Sequence, residues 1–375
     1  MRVLFTFVGG PGHFQPLAPI ARAVAAAGHT VAVAGSGSMV RAIEAGGFRA
    51  FATESASRDV RPRLPLSKPD SDRAELELRE IFARSEAPRR AEAVLKVGSE
   101  WEPHLVVCDE VDFGSMVAAE RLGIPHASVV VLAAGSLLRK EIVAAPLSEL
   151  RESYGLPPDP GLTMLDRHLV LSPVPPSFRH PDFPLPANAH SIRPVDAPPP
   201  ATARPDGPIV YFTLGTEFNT ESGDLFSRVL AGLGQLPVTV VATVGEHIDP
   251  AELGAQPPNV RVRQYVPQGE LLPNCALVVS HGGSGTVIGA LAHGVPCLLI
   301  PMGADQPHNA ARCVALGAGE VLDPMSATPE IVQSTASAML TVPRYRQAAE
   351  AVRREVANLP GPESAVPLLE RLVRR

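Results

Sequence analysis

A histidine at the exit of one strand pattern, a carboxylate at the exit of another, and a glycine-rich turn carrying a second histidine are the features from which chemistry can be argued. The first turn, Gly9-Gly10-Pro11-Gly12-His13-Phe14, follows the apolar run Val3 to Val8 and leads into a helical pattern, Leu17 to Ala27, ending at Gly28. A dinucleotide fingerprint GxGxxG counted from Gly10 fails, because Gln15 stands where its last glycine is needed. The turn offers His13 instead, where the chain passes from a strand's carboxyl end into a helix, the ligand edge of an open α/β sheet. A helix N-terminus disfavours the imidazolium, so a neutral ring able to accept a proton is expected near pH 7. His13 is therefore the candidate general base, against the bland alternative of a histidine that only caps its helix. Asp109 lies just past a second strand pattern, Leu105 to Cys108. A carboxylate on one ring nitrogen fixes the tautomer and stabilises the imidazolium formed on proton uptake. Asp109 as a helix N-cap is the competing reading, and Glu110 and Asp112 compete for its role.

In the second half, Ser280-His281-Gly282-Gly283-Ser284-Gly285-Thr286 follows a strand pattern and opens a helix. Successive backbone N–H groups and small side chains there suit a pyrophosphate. The GK[ST] ending of a P-loop is missing and no lysine is near, which argues against ATP hydrolysis; a turn made glycine-rich for tight packing is the plain alternative. Tyr265-Val266-Pro267-Gln268 offers an aromatic face for a base and an amide for ribose or ring contacts, and Asp305-Gln306 offers acceptors and donors for sugar hydroxyls. Singly, each of these is more often a solvated loop. Their order around the glycine turn is what gives them weight.

The elements that must position these residues alternate in the manner of parallel sheets with crossover helices. After the first βα unit comes a β-rich run, Thr30 to Ala34, and, past the polar stretch Thr53 to Arg90, a helix at Phe113 to Leu122 and a strand at Ala127 to Leu132. Between Pro173 and Pro208, twelve of 36 residues are proline, which argues against helix and central strand and for an extended interdomain linker. Beyond it, strands are expected near Ile209 to Leu214, Val238 to Thr243, Leu277 to Ser280 and Cys297 to Ile300. Helices are expected near Leu225 to Leu233, Val287 to His293 and Asn309 to Leu316, and again through the last 45 residues, broken at Pro360 and Pro362. A length of 375 residues suits two domains, each with its own core. A net charge of -6 without a block of like charge excludes a nucleic-acid surface. Four cysteines without CxxC spacing imply neither a metal knuckle nor a disulfide framework. With no signal-like h-region and no run of 18 apolar residues, a cytoplasmic protein without a membrane span is expected.

Taken in order, the segments GGPGHFQPLAPIARAVAAAGHTVAVA, TLGT and YVPQGELLPNCALVVSHGGSGTVIGALAHGVPCLLIPMGADQPHNAARCVALGAG resemble the inverting GT-B glycosyltransferases of the family 1 type, which include actinobacterial antibiotic and plant secondary-metabolite enzymes. The resemblance covers nearly the whole chain. It implies an α/β fold of two Rossmann-like doubly wound domains facing each other across a cleft: an acceptor domain over 1–190, a linker over 191–207, a nucleotide-sugar domain over 208–358, and a C-terminal helix over 359–375 crossing back to the first domain. It further implies that His13, supported by Asp109, deprotonates an acceptor hydroxyl. Thr216 and His281 would bind a diphosphate with the amides of Ser284 to Thr286, Tyr265 would stack on the base, and Asp305 and Gln306 would contact the donor sugar. The co-substrate is a nucleoside diphosphate sugar, with no metal or other cofactor. Many relatives carry Glu where Gly289 stands, and loss of that ribose ligand tilts the expectation toward dTDP-sugars over UDP-sugars. Residues 53–90 and 133–154 are expected to line the pocket of a hydrophobic natural-product aglycone, and a homodimer is an open expectation. A non-catalytic activator of the same fold and a sugar-nucleotide epimerase are the alternatives; an intact His13, Asp109 and Asp305-Gln306 argue against the first, and an acceptor-independent isomer of the sugar would support the second.

Overall fold

The computed structural model describes residues 1–55, 63–194 and 207–374. Its first elements are β1 (Arg2–Thr6), α1 (Pro11–Ala26), β2 (Thr30–Gly35), α2 (Val40–Ala45), β3 (Arg49–Ala52), α3 (Ser71–Leu76), a π-helical stretch (Glu77–Glu86), α4 (Ala87–Trp101), β4 (Leu105–Asp109), α5 (Phe113–Leu122), β5 (His126–Val129), α6 (Lys140–Ser153), β6 (Val170–Ser172) and β7 (Ala189–Ser191). Among the described residues the seven strands form one parallel sheet ordered β3-β2-β1-β4-β5-β6-β7. Strands such as Val3-Leu4-Phe5 and Leu105-Val106-Val107 are buried throughout, as a sheet covered by helices on both faces requires. The order reverses between β1 and β4, so the chain leaves these two neighbouring strands in opposite directions and opens a crevice at their carboxyl ends. Thr6 pairs with Cys108 there, which brings the residues after β1 beside Asp109.

The second sheet is built in the same way from β8 (Ile209–Thr213), β9 (Thr239–Thr243), β10 (Val260–Arg263), β11 (Cys275–Ser280), β12 (Cys297–Leu299) and β13 (Gly319–Val321). They are parallel and ordered β10-β9-β8-β11-β12-β13, with the reversal between β8 and β11. Its helices are α7 (Leu225–Leu233), α8 (Gln268–Leu271), α9 (Ser284–Ala292), α10 (Gln306–Ala315), α11 (Pro329–Thr341) and α12 (Pro343–Ala357). Each sheet has its own hydrophobic core, centred on Phe5, Phe7 and Phe113 in the first and on Phe212 and Phe226 in the second. Burying each such ring contributes on the order of 1.5–3 kcal/mol. The last helix, α13 (Ala365–Val373), belongs to the first unit and packs against α1, where Glu370 meets the His29 Nε2 at 3.0 Å.

Several boundaries differ from the sequence expectation. Helix α1 begins at Pro11 rather than Leu17, because proline at the first helical position already has the helical φ and lacks an N–H that would go unpaired. Helices α9 and α10 likewise begin three residues early, at Ser284 and Gln306. Much of the proline-rich segment is not linker. Residues up to Pro194 belong to the first unit, with a 3-10 turn at Pro176–Phe178 and β7 on the sheet edge, where proline-rich chain is tolerated. Of the expected linker, residues 195–206 lie outside the described residues. Residues 63–71, expected in the first domain, group with the second unit, where the Leu64 N–H donates to the Thr220 carbonyl at 2.8 Å and Arg63 pairs with Glu252 at 2.7 Å. No helix among the described residues is long and apolar enough to cross a membrane.

Candidate active site

In the first unit the site forms at the β1/β4 reversal. Gly9 turns the chain with φ +71°, in the left-handed region that disfavours other residues, and a Cβ there would lie 3.4 Å from the His13 ring. His13 thus sits in the first turn of α1, over Gly9, with its side chain 24% exposed. Its Nδ1 lies 3.1 Å from Asp109 Oδ2. Asp109, the last residue of β4, is fully buried; Oδ2 also accepts from the Val8 N–H at 2.9 Å, and Oδ1 from the Val111 N–H at 2.8 Å. Two backbone donors therefore fix the carboxylate before the imidazole meets it. An acceptor at Nδ1 selects the tautomer protonated on that nitrogen and makes Nε2 the basic one.

The two competing carboxylates are engaged elsewhere. Glu110 Oε1 accepts from the Val131 and Leu132 N–H groups at 2.7 and 2.6 Å; burial raises its pKa, and nearby Arg179 opposes that rise. Asp112 is the N-cap of α5, accepting from the Ser115 N–H at 3.2 Å and its hydroxyl at 2.7 Å. Asp112 also pairs at 3.2 Å with Arg90, a buried residue that the sequence reading passed over. The Arg90 guanidinium donates to the carbonyls of Phe7 and Ala34 and to the Thr53 hydroxyl, tying the ends of β1 and β2 to the start of α5. A charged residue interrupting the run of small buried positions Ala83, Ala87 and Ala91 was the available signal.

In the second unit the equivalent place is the β8/β11 reversal. Thr213-Leu214-Gly215-Thr216 leaves β8 beside His281-Gly282-Gly283, which leaves β11. The His281 imidazole packs against two glycines: a Cβ at Gly215 would lie 2.6 Å from Nε2, and one at Gly283 would lie 2.5 Å from it. Gly215 is also held at φ +76°. Burial lowers the His281 pKa to about 4, so the ring is neutral near pH 7 and can offer a hydrogen bond rather than a positive charge. Its Nδ1 is buried with no hydrogen-bond partner among the described residues. Helix α9 follows with no side-chain cap, so the amides of Ser284, Gly285 and Thr286 occupy an uncapped first turn. That arrangement suits an anion.

Asp305 and Gln306 are less open than expected. Asp305 Oδ2 accepts from the Ser284 hydroxyl at 2.6 Å and from the Asn309 amide at 2.8 Å, and Asn309 also donates to the Gly282 carbonyl at 3.0 Å. Gln306 Oε1 accepts from the Met302 and Gly303 N–H groups at 2.8 and 3.2 Å. Both side chains are buried and brace the glycine turn and the loop before α10. Ala304, immediately before them, has φ +51°, an uncommon backbone state for alanine. Gln268 donates to the Thr286 hydroxyl at 3.2 Å, joining α8 to the same turn; Tyr265 is 68% exposed, Val266 half-buried and Thr216 exposed. A Cβ on Gly289 would meet Leu272 at 3.2 Å, so leucine packing fills the space beside this residue. Among the described residues no cluster of three or more His, Cys, Asp or Glu could hold a metal ion.

Known proteins share this organisation. The C-terminal domain of erythromycin biosynthesis protein CIII-like proteins matches residues 227–372. The aclacinomycin-T 2-deoxy-L-fucose transferase of Streptomyces galilaeus is 30% identical over 99% of this chain and 96% of its own length. The TDP-daunosamine transferase DnrS of Streptomyces peucetius is 30% identical over 100% and 97%. Among solved structures, the spinosyn forosaminyltransferase SpnP superposes with a TM-score of 0.77 at 28% identity, and glycosyltransferase VinC in complex with dTDP with a TM-score of 0.76 at 25% identity, each covering 100% of both chains. With relatives at this identity along almost its full length, the chain belongs to the actinobacterial natural-product family of GT-B glycosyltransferases.

Proposed function

We propose that the protein is an inverting, metal-independent glycosyltransferase that moves a sugar from a nucleoside diphosphate, with dTDP favoured, to a hydroxyl of a small natural-product aglycone in the cytoplasm. The observation that carries this reading is the His13–Asp109 pair at 3.1 Å on the ligand edge of the first sheet. His13 Nε2 takes the hydroxyl proton as the acceptor oxygen bonds to the anomeric carbon, and Asp109 stabilises the resulting imidazolium. The bond from that carbon to the diphosphate breaks on the opposite face, which inverts its configuration. The uncapped turn of α9 and the neutral His281 ring supply hydrogen bonds to the departing diphosphate. Asp305 and Gln306 hold the glycine turn and the following loop in place, and Tyr265 offers its exposed ring to the nucleobase.

Further support comes from the names of the relatives, one a TDP-daunosamine transferase, and from the dTDP bound to the similar VinC structure. The test is transfer from a dTDP-sugar to an aglycone with and without EDTA, with the product's anomeric configuration read by NMR. His13→Ala should abolish transfer and leave dTDP affinity unchanged. Retained turnover in that variant, or a retained configuration in the product, would refute the mechanism.

A further inference from the structure

The helical run that starts at Ser71 and ends at Trp101 changes register in its middle. Its core-facing positions are Ala74, Leu78, Ala83, Ala87, Ala91 and Val94. The steps are of four, five, four, four and three residues, and the step of five falls inside the π-helical stretch Glu77–Glu86. In an uninterrupted α-helix the core position after Leu78 would be Phe82. The π turn, whose hydrogen bonds run from i to i+5, places Ala83 there instead and leaves Phe82 at the edge of the core, half-buried and packed against it. The half-buried Phe82 ring then lies with its centroid 6.4 Å from that of the His13 imidazole, the two planes 26° apart. Two residues of the same run, Leu76 and Ile81, are large, apolar and about half exposed. A rare helical geometry thus holds an aromatic ring, only half-buried at the edge of the core, near-parallel to the candidate base.

We propose that Phe82 is a specificity-determining residue for the acceptor, an inference that rests on the glycosyl-transfer reading. Its ring forms the apolar wall against which a flat, unsaturated ring system lies while a hydroxyl on that system's edge reaches His13 Nε2. Offset stacking on Phe82 favours such acceptors over saturated, puckered ones of similar size, because only a π face gains the aromatic interaction beyond simple burial.

The test compares alizarin, a flat dihydroxyanthraquinone, with cyclododecanol, a saturated ring alcohol, on the full-length wild-type chain and on Phe82→Ala, Phe82→Leu and Phe82→Tyr. Two readouts are used: acceptor binding without donor, by calorimetry, and kcat and KM for transfer. Phe82→Ala and Phe82→Leu should each weaken alizarin binding by about tenfold. In Phe82→Leu, which keeps an apolar wall but no π face, cyclododecanol binding should change by no more than about twofold, whereas Phe82→Ala removes burial from both acceptors. The dTDP affinity and the pH profile of kcat should not move in either variant. Phe82→Tyr should restore alizarin binding. Equal losses for both acceptors in Phe82→Leu, no loss for alizarin, no measurable alizarin binding to the wild type, or a shifted pH profile would each overturn the proposal. If alizarin binds in a Phe82-dependent way and yet no sugar is transferred to any acceptor, the inference about Phe82 stands and the transfer reading fails.

Discussion

Replacing Asp109 with Asn probes the pair most directly, because the amide cannot satisfy the three donors the carboxylate now faces. Oδ2 accepts from the Val8 N–H and meets His13 Nδ1, while Oδ1 accepts from the Val111 N–H. Asn has one acceptor oxygen. With that oxygen toward Val8 and His13, its NH2 group opposes the Val111 N–H, and the negative charge that stabilises an imidazolium is gone. With the oxygen toward Val111, the NH2 group opposes the Val8 N–H and donates to Nδ1, which moves the ring proton to Nε2 and removes the base. Either orientation leaves one buried backbone donor unpaired, at a cost of about 1–3 kcal/mol. The melting transition of the first unit should fall by roughly 2–12 °C. General-base catalysis is worth about 10²–10⁴ in rate, so kcat should drop within that range. Release of dTDP followed by ion-exchange chromatography measures the rate, and calorimetry with dTDP measures donor binding, which should be unaffected. A variant with kcat within threefold of the wild type would show that Asp109 does not support a base.

Two other perturbations follow from the second unit and the buried histidines. Gly283→Ala places a Cβ 2.5 Å from the His281 Nε2 and should displace the imidazole, lowering dTDP affinity by an order of magnitude or more and kcat with it, since the same hydrogen bonds stabilise the departing diphosphate; unchanged affinity would mean that this ring does not face the diphosphate. Burial holds both His281 and His126 at a pKa of about 4, below the 6.5 of the unfolded chain. Between those values the unfolded state binds a proton that the native state does not. Stability is therefore complete above pH 6.5 and is lost as pH falls toward 4, by on the order of a few kcal/mol for each histidine. Urea midpoints at pH 7, 6 and 5 should decline accordingly, and a flat series would contradict the burial argument.

Local pattern was sufficient for the repeating βα plan. Helices α5 and α7 run over the expected residues, Phe113–Leu122 and Leu225–Leu233, because each has a compact apolar stripe between clear breaks. His13 and the glycine turn could be singled out in the same way, since the type and order of residues at a strand exit are properties of the chain itself. Which carboxylate meets His13 was not readable from Asp109, Glu110 and Asp112 as neighbours in sequence. It depends on the β1–β4 pairing, which sets Asp109 at the level of the β1 exit, while Glu110 serves the 131–132 backbone and Asp112 caps α5.

The remaining differences share that cause. The neutrality of His281 comes from two glycines contributed by separate loops, and the burial of Asp305 from Ser284 and Asn309 closing over it. The half-buried position of Phe82 at the edge of the core comes from the π turn, where its four-residue spacing from Leu78 would otherwise have buried it. Composition and periodicity act within a few residues of one another and so specify elements and candidate groups. The state and orientation of those groups are set by partners far away in the chain, which only the folded sheet brings within hydrogen-bonding distance.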